Sequence, residues 1–207
     1  MPKESIDWRA ILLAATLPTL LVLITLDSVW TNLDNYDPIF RTNTFDYSSA
    51  VRTTEQLISY FKGPVDQPLT VSAFSPKEAS HLRDVKQAFK RAGLLFGIVF
   101  FVWVASFIQN PLLASRALFL GGSACLLLCA MMILVPFDAL FTLFHALLFK
   151  PETWIFSPNE LLVSIYPKSL FEHLAEIIFW RTAALAVLSA GLGFSLKKCL
   201  SKNLYKN

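Results

Sequence analysis

One histidine of the chain lies in a strongly apolar pattern that could support chemistry at a membrane. Phe137, Phe141, His145 and Phe149 recur every four residues, so the sequence predicts a helix with one imidazole inside a phenylalanine stripe. The run is too short to cross a bilayer and is typical of a helix in the membrane interface. An ionisable group in that setting is a functional-site candidate. The alternative is a core histidine whose ring nitrogens bond to the backbone or to Asp138.

A second histidine has a carboxylate within one helical turn on each side. The run Ser75-Pro76-Lys77-Glu78 matches a capping box and predicts that a helix begins here. On that helix Glu78, His81 and Asp84 share one face because they are three residues apart. The alternative is a solvated helix face on which His81 is only polar surface.

The other histidine and two closely spaced cysteines are more typical of structural positions than of a metal site. His173, which precedes Glu176 by three residues, could join a histidine cluster or be an interface residue. Three histidines suggest zinc, but neither a His-x-x-x-His nor a His-Glu-x-x-His spacing occurs. Cys125 and Cys129 lie one turn apart in an apolar segment with no further ligand nearby, which favours packing. We therefore expect no metal site.

The composition places these residues in an integral membrane protein. The 207 residues are 55% hydrophobic and only 16% charged, with a mean hydropathy of +0.52, whereas about a quarter of a soluble domain is charged. This excludes a cytosolic enzyme and a secreted disulfide scaffold. The net charge of +3 is too small to indicate a nucleic-acid partner.

Four segments are apolar enough to cross a hydrocarbon core about 30 Å thick. They cover about residues 9–30, 92–108, 118–135 and 177–196, and they enclose two large loops at 31–91 and 136–176. The sequence thus predicts an all-α membrane protein, with residues 1–207 forming a single integral membrane domain. A signal peptide is the alternative for the first segment, but its acidic residues and the missing cleavage pattern favour an uncleaved anchor.

The positions of Lys and Arg predict the orientation. Basic residues concentrate in the short segments at the N-terminus, around Arg116 and after Phe194, so both termini are expected to be cytoplasmic. The two large loops are then extracytoplasmic, with interfacial helices. Within the first loop, the pattern from Val51 to Phe61 predicts an amphipathic helix, and alternation over residues 69–73 suggests a brief strand.

The depth of His81 in the membrane depends on how its helix joins the second span. In a straight helix His81 stands eleven residues, about 16 Å, before Ala92. To act on lipid, the helix would then have to bend, tilt or lie along the interface near residues 88–93. Lys86, Lys90 and Arg91 could meet lipid phosphates there.

Several motifs together resemble those of a known family. They are Leu57-Ile58-x-Tyr60, Phe74, Glu78-x-x-His81-Leu82-x-Asp84-Val85-Lys86, Phe144-His145-x-x-x-Phe149 and Trp154-x-Phe156. In order, separation and topological side they resemble Lit, the bacterial lipoprotein intramolecular transacylase family. The resemblance covers almost the whole chain.

The resemblance implies an acyltransferase in the bacterial cytoplasmic membrane, with its site on the extracytoplasmic side. The sn-2 acyl chain of a diacylglyceryl-modified lipoprotein would move to the α-amine of its N-terminal cysteine, giving the lyso-form. His81 and His145 would be the catalytic pair, supported by acidic residues and flanked by residues at the substrate interface. The supporting residues are Glu78, Asp84 and Asp138, and the interface residues are Tyr60, Phe141, Phe149 and Trp154.

The implied reaction suits two histidines, because aminolysis within one molecule needs positioning, a proton acceptor and charge stabilisation but no cofactor. We expect His81 to be the base, oriented by Glu78 or Asp84, and His145 to donate to the oxyanion or leaving oxygen. The roles could be swapped, since a sequence shows no tautomer. The alternatives are a membrane lipid or lipoprotein esterase that uses water, and a non-catalytic adaptor that binds lipid or a partner helix.

Overall fold

The computed structural model describes residues 7–42, 45–69 and 73–204, apart from the side chains of residues 151–152 and 203–204. This part of the chain is helical and contains no strand; the brief strand predicted over residues 69–73 falls partly on positions outside it. A 3-10 turn at Leu33–Asn35 accompanies the α-helices. The α-helices are α1 (Trp8–Trp30), α2 (Asp37–Phe40), α3 (Tyr47–Lys62), α4 (Pro76–Gln109), α5 (Pro111–Met132), α6 (Phe137–Leu148), α7 (Pro151–Trp154), α8 (Leu161–Ile165) and α9 (Lys168–Leu204).

The chain divides into two compact units. Unit 1 contains the residues up to Thr25, Leu94–Leu134 and the residues from Phe179 onward, and unit 2 contains Leu26–Gly93 and Val135–Ile178. Unit 1 is therefore built from apolar helices, and unit 2 from the two large loops with their adjoining helix ends.

Each of the four predicted spans falls on one long apolar helix, namely α1, α4, α5 or α9. α5 ends at Met132 and not at the predicted Val135. In unit 1 these helices approach closely at small residues, as membrane helices do: a Cβ added to Gly122 would lie 2.7 Å from the Ala190 nitrogen. An apolar cleft of about 390 Å³ in this unit contains none of the candidate site residues.

The predicted capping box at the start of α4 is present. The Glu78 amide donates to Ser75 Oγ at 3.3 Å, and the Ser75 amide donates to Glu78 Oε2 at 2.7 Å. α4 then continues as helix to Gln109, without a break at residues 88–93. Because only its second half is apolar enough to span, we treat residues 92–108 as its membrane segment.

Unit 2 has its own buried core, which includes Leu57, Tyr60, Leu82, Ile165 and Leu170. Since these residues come from both large loops, this core holds the two histidine-bearing regions in one unit.

Lys86 does not reach the surface at which it could meet a lipid phosphate. Its side chain is 1% exposed, and its Nζ lies 4.0 Å from the centre of the Tyr60 ring. Lys90 donates to the Lys62 carbonyl at 3.0 Å. The phosphate role predicted for Lys86 is therefore replaced by a cation–π contact in the core.

Candidate active site

The predicted phenylalanine stripe forms one side of α6. Phe137, Phe141 and His145 are half-buried along it, while Leu143 and Leu147 on other faces are exposed. The Phe141 ring centre lies 4.1 Å from that of His145. The four-residue spacing therefore turns the imidazole of His145 toward the interior of unit 2.

The two histidines come together in unit 2. The ring centres of His81 and His145 lie 6.3 Å apart, and the ring planes are within 21° of parallel. His81 is only 7% exposed. A substrate group that reached both imidazoles would therefore be largely removed from water.

Aromatic rings enclose the pair. Phe149 contacts both histidines, at 5.0 Å from the His81 ring centre and 5.6 Å from that of His145. Trp154 lies 4.8 Å from His145, and Phe156 lies 5.4 Å from His81. Phe156 and Phe144, whose ring centre is 5.4 Å from that of His145, were not expected as site residues; only their places in the quoted motifs pointed to them.

The hydrogen bonds of the pair differ between the two rings. Nδ1 of His145 lies 2.8 Å from the Phe141 carbonyl oxygen. Because a carbonyl can only accept, a hydrogen bond there places a proton on Nδ1 and leaves Nε2 of the neutral ring with a lone pair. Nδ1 of His81 is buried with no partner among the described residues, as is Nε1 of Trp154. Among the described residues, no hydrogen bond to Nδ1 therefore determines the tautomer of His81.

Burial keeps both imidazoles neutral near pH 7. Burial, together with a smaller effect of the nearby His145, lowers the pKa of His81 from 6.5 to about 4. Burial also lowers the pKa of His145, against the opposing effect of the Phe141 carbonyl. Both rings lie outside the membrane segment, His81 on the first half of α4 and His145 on α6.

We expect this shift to be visible in the histidine titrations. His81 should take up a proton only near pH 4, and the pKa of His81 should rise in His145→Ala because a neighbouring positive charge is removed. NMR of protein labelled at histidine carbons would measure both. Since the unfolded chain binds this proton at about 6.5, the free energy of unfolding should fall as the pH is lowered from 6.5 toward 4. Protonation of His81 at pH 6.5 or above would contradict the buried geometry.

The predicted supporting residues lie in different surroundings. Glu78 accepts from the amides of Ser75 and Leu162, and among the described residues neither Glu78 nor Asp84 bonds to His81. Asp138 pairs with Lys168 at the surface. The carboxylates of Glu78 and Asp138 therefore bond to groups other than the histidines that they were predicted to support.

Two other candidates lie away from the pair. Tyr60 is 3% exposed in the core of unit 2, against Lys86, so its predicted substrate contact stays a prediction. His173 makes no ring contact with either histidine in the described part of the chain. No group of three or more His, Cys, Asp or Glu that could hold a metal occurs among residues 7–42, 45–69 and 73–204.

The fold and the site define a class: an integral membrane protein in which two neutral imidazoles face an aromatic enclosure. The family model for the lipoprotein intramolecular transacylase Lit matches residues 8–171, and the chain therefore belongs to this family. A search of curated proteins finds no significant relative.

Solved structures share the fold. The membrane integral lipoprotein intramolecular transacylase Lit from Bacillus cereus is 20% identical, with a TM-score of 0.78 and 97% of each chain covered. A variant of that protein with a histidine replaced by arginine is 18% identical, with a TM-score of 0.77 over 95% of this chain and 93% of its own. A variant with alanine at a histidine gives 18% identity and a TM-score of 0.75, over 97% and 95%. At this identity the likeness establishes the fold.

Proposed function

We propose that the protein is a lipoprotein intramolecular transacylase that moves the sn-2 acyl chain of a diacylglyceryl group to the α-amine of the same lipoprotein's N-terminal cysteine. Family membership supports the reaction class. The observation that carries the proposal is a pair of nearly parallel imidazoles, His81 buried and His145 half-buried, whose ring centres lie 6.3 Å apart within one aromatic enclosure. Two imidazoles can meet the two needs of an aminolysis: one removes a proton from the amine, and the other stabilises the negative charge that develops on the ester oxygen.

His145 is the base in this proposal. The α-ammonium group, with a pKa of about 7.7 to 8.0, must lose a proton before its nitrogen can attack. The bond from Nδ1 of His145 to the Phe141 carbonyl leaves Nε2 with the lone pair that accepts this proton. The same carbonyl stabilises the imidazolium that forms. With His145 as the base, the roles of the two histidines are the reverse of those expected from the sequence.

His81 is the donor. Its depressed pKa keeps the ring neutral, and no acceptor among the described residues bonds to its Nδ1. The proton can therefore lie on Nε2, and Nε2–H can donate to the ester carbonyl oxygen as negative charge develops there. The amide C–N bond then forms as the ester C–O bond breaks. The ammonium nitrogen loses two protons in all: one passes through His145 to the glyceryl oxygen, and the other is released to solvent. Apart from this released proton, substrate and product have the same atoms.

The surroundings suit a lipid substrate. Phe141, Phe149 and Trp154 present apolar rings around the pair, and these rings can pack against the glyceryl group and the root of the acyl chain. We place the site on the extracytoplasmic side of the bacterial cell membrane, with both termini cytoplasmic, because of the distribution of Lys and Arg. Diacylglyceryl-modified lipoproteins and membrane lipids are the partners.

The test is fragmentation mass spectrometry of a model lipoprotein from a host without its own N-acylating enzyme. The host expresses either the intact protein or His81→Ala. The intact mass cannot decide, since transfer conserves composition, so the fragments must locate each acyl chain. One chain on the cysteine nitrogen with the intact protein, and none with the variant, supports the transacylase.

Two other products would overturn the proposal. A lipoprotein that keeps both glyceryl esters and a free amine in both strains would favour a non-catalytic adaptor. Loss of one chain as free fatty acid, without any amide, would identify an esterase.

A further inference from the structure

The carboxylate of Glu78 joins the start of α4 to a distant part of the chain. Glu78 is 2% exposed, and a buried carboxylate is stable only if its oxygens are hydrogen-bonded. Oε2 accepts from the Ser75 amide at 2.7 Å, which completes the capping box, and Oε1 accepts from the Leu162 amide at 2.6 Å. The second bond is not part of a capping box and has no role in starting the helix.

Lys77, the residue before Glu78, contacts a nearby part of the chain. Lys77 Nζ donates to the Ile155 carbonyl at 2.5 Å and lies 5.0 Å from the centre of the Phe156 ring. Two successive residues of α4 thus hold both ends of residues 155–162, here called the Phe156 segment. Within it the Ser157 amide donates to the Glu160 carboxylate at 2.5 Å.

The Phe156 segment forms a wall of the histidine site. Phe156 lies edge-on to His81, with ring centres 5.4 Å apart, and His81 follows Glu78 by three residues, which places both on one side of α4. Trp154, just before the segment, contacts His145. The segment therefore covers one side of the His81 ring, and its displacement would let water approach that ring.

We infer that Glu78 is a positioning residue that, with Lys77, holds the Phe156 segment closed over the histidine pair, so that the acyl chain goes to the amine and not to water. This inference rests on the proposed function. With the segment displaced, a water oxygen attacks the ester carbonyl carbon, the ester C–O bond breaks and the glyceryl oxygen takes a proton. The products are a free fatty acid and a monoacylglyceryl lipoprotein whose amine stays free.

The test measures the ratio of fatty acid to amide that purified protein forms from a synthetic diacylglyceryl lipopeptide, and compares this ratio between the wild type and two variants. Glu78→Gln keeps the shape of the side chain, but its amide group must face one of the two backbone N–H donors. We expect the ratio to rise about tenfold, as for the loss of one charge-assisted hydrogen bond. Lys77→Met should also raise the ratio, and because Lys77 is exposed, this variant leaves the buried residues unchanged.

The matched control is Glu172→Gln, which removes an exposed carboxylate paired with Lys168 and should leave the ratio unchanged. Labelling with H₂¹⁸O identifies the fatty acid released by water. If both variants keep the wild-type ratio, whatever their total rate, the inference is wrong; if Glu78→Gln does not fold, Lys77→Met alone decides. Wild-type protein that forms no amide would instead refute the proposed function.

Discussion

Replacing His145 by alanine is expected to lower kcat for amide formation by about 10²- to 10⁴-fold, the range contributed by a positioned general base. The substrate amine would stay protonated, because in the described part of the chain no other imidazole whose tautomer is fixed by a hydrogen bond lies beside His81. Fold and membrane insertion should persist, since His145 is half-buried on a helix without fully buried residues. Initial rates with a diacylglyceryl lipopeptide in detergent or nanodiscs would measure the loss.

His173→Ala is the control for this variant, since His173 lies in the same unit but outside the ring contacts of the pair. Its rate should stay near that of the wild type. Added imidazole should restore part of the activity of His145→Ala, because it can fill the vacated space and accept the proton. A full wild-type rate in His145→Ala would show that the ring is not needed.

The spans could be predicted because their signal is local. Lipid must solvate a continuous apolar stretch, so composition alone locates each crossing. Composition does not show how far a helix extends beyond its membrane-spanning part. α4 begins at Pro76, well before its apolar half, because the capping box and not hydrophobicity sets its start.

The site shows the same division between local and distant contacts. The α6 stripe and the Ser75–Glu78 box involve residues within one turn, and both patterns were readable. The contact between His81 and His145, and the bond from Leu162 to Glu78, join residues far apart in sequence. Glu78 was expected to orient His81 because the helix places them together, but its buried carboxylate accepts from the Leu162 amide instead.

The second large effect is expected at His81. His81→Ala should lower kcat by about 10²- to 10³-fold, the usual cost of removing one donor to a developing oxyanion. His81→Gln should recover part of this loss, because the terminal amide of glutamine can present an N–H close to where Nε2–H of the imidazole lies. The loss should appear mainly in kcat, since the donor acts on charge that develops in the transition state.

The same glutamine substitution at the other histidine distinguishes the two roles. An amide nitrogen has no lone pair basic enough to deprotonate an ammonium group, so His145→Gln should be as inactive as His145→Ala. If glutamine instead restored activity at position 145 and not at position 81, the roles would be exchanged and His81 would be the base. The bond from His145 Nδ1 to the Phe141 carbonyl predicts the first pattern, because it leaves Nε2 of that ring as an acceptor.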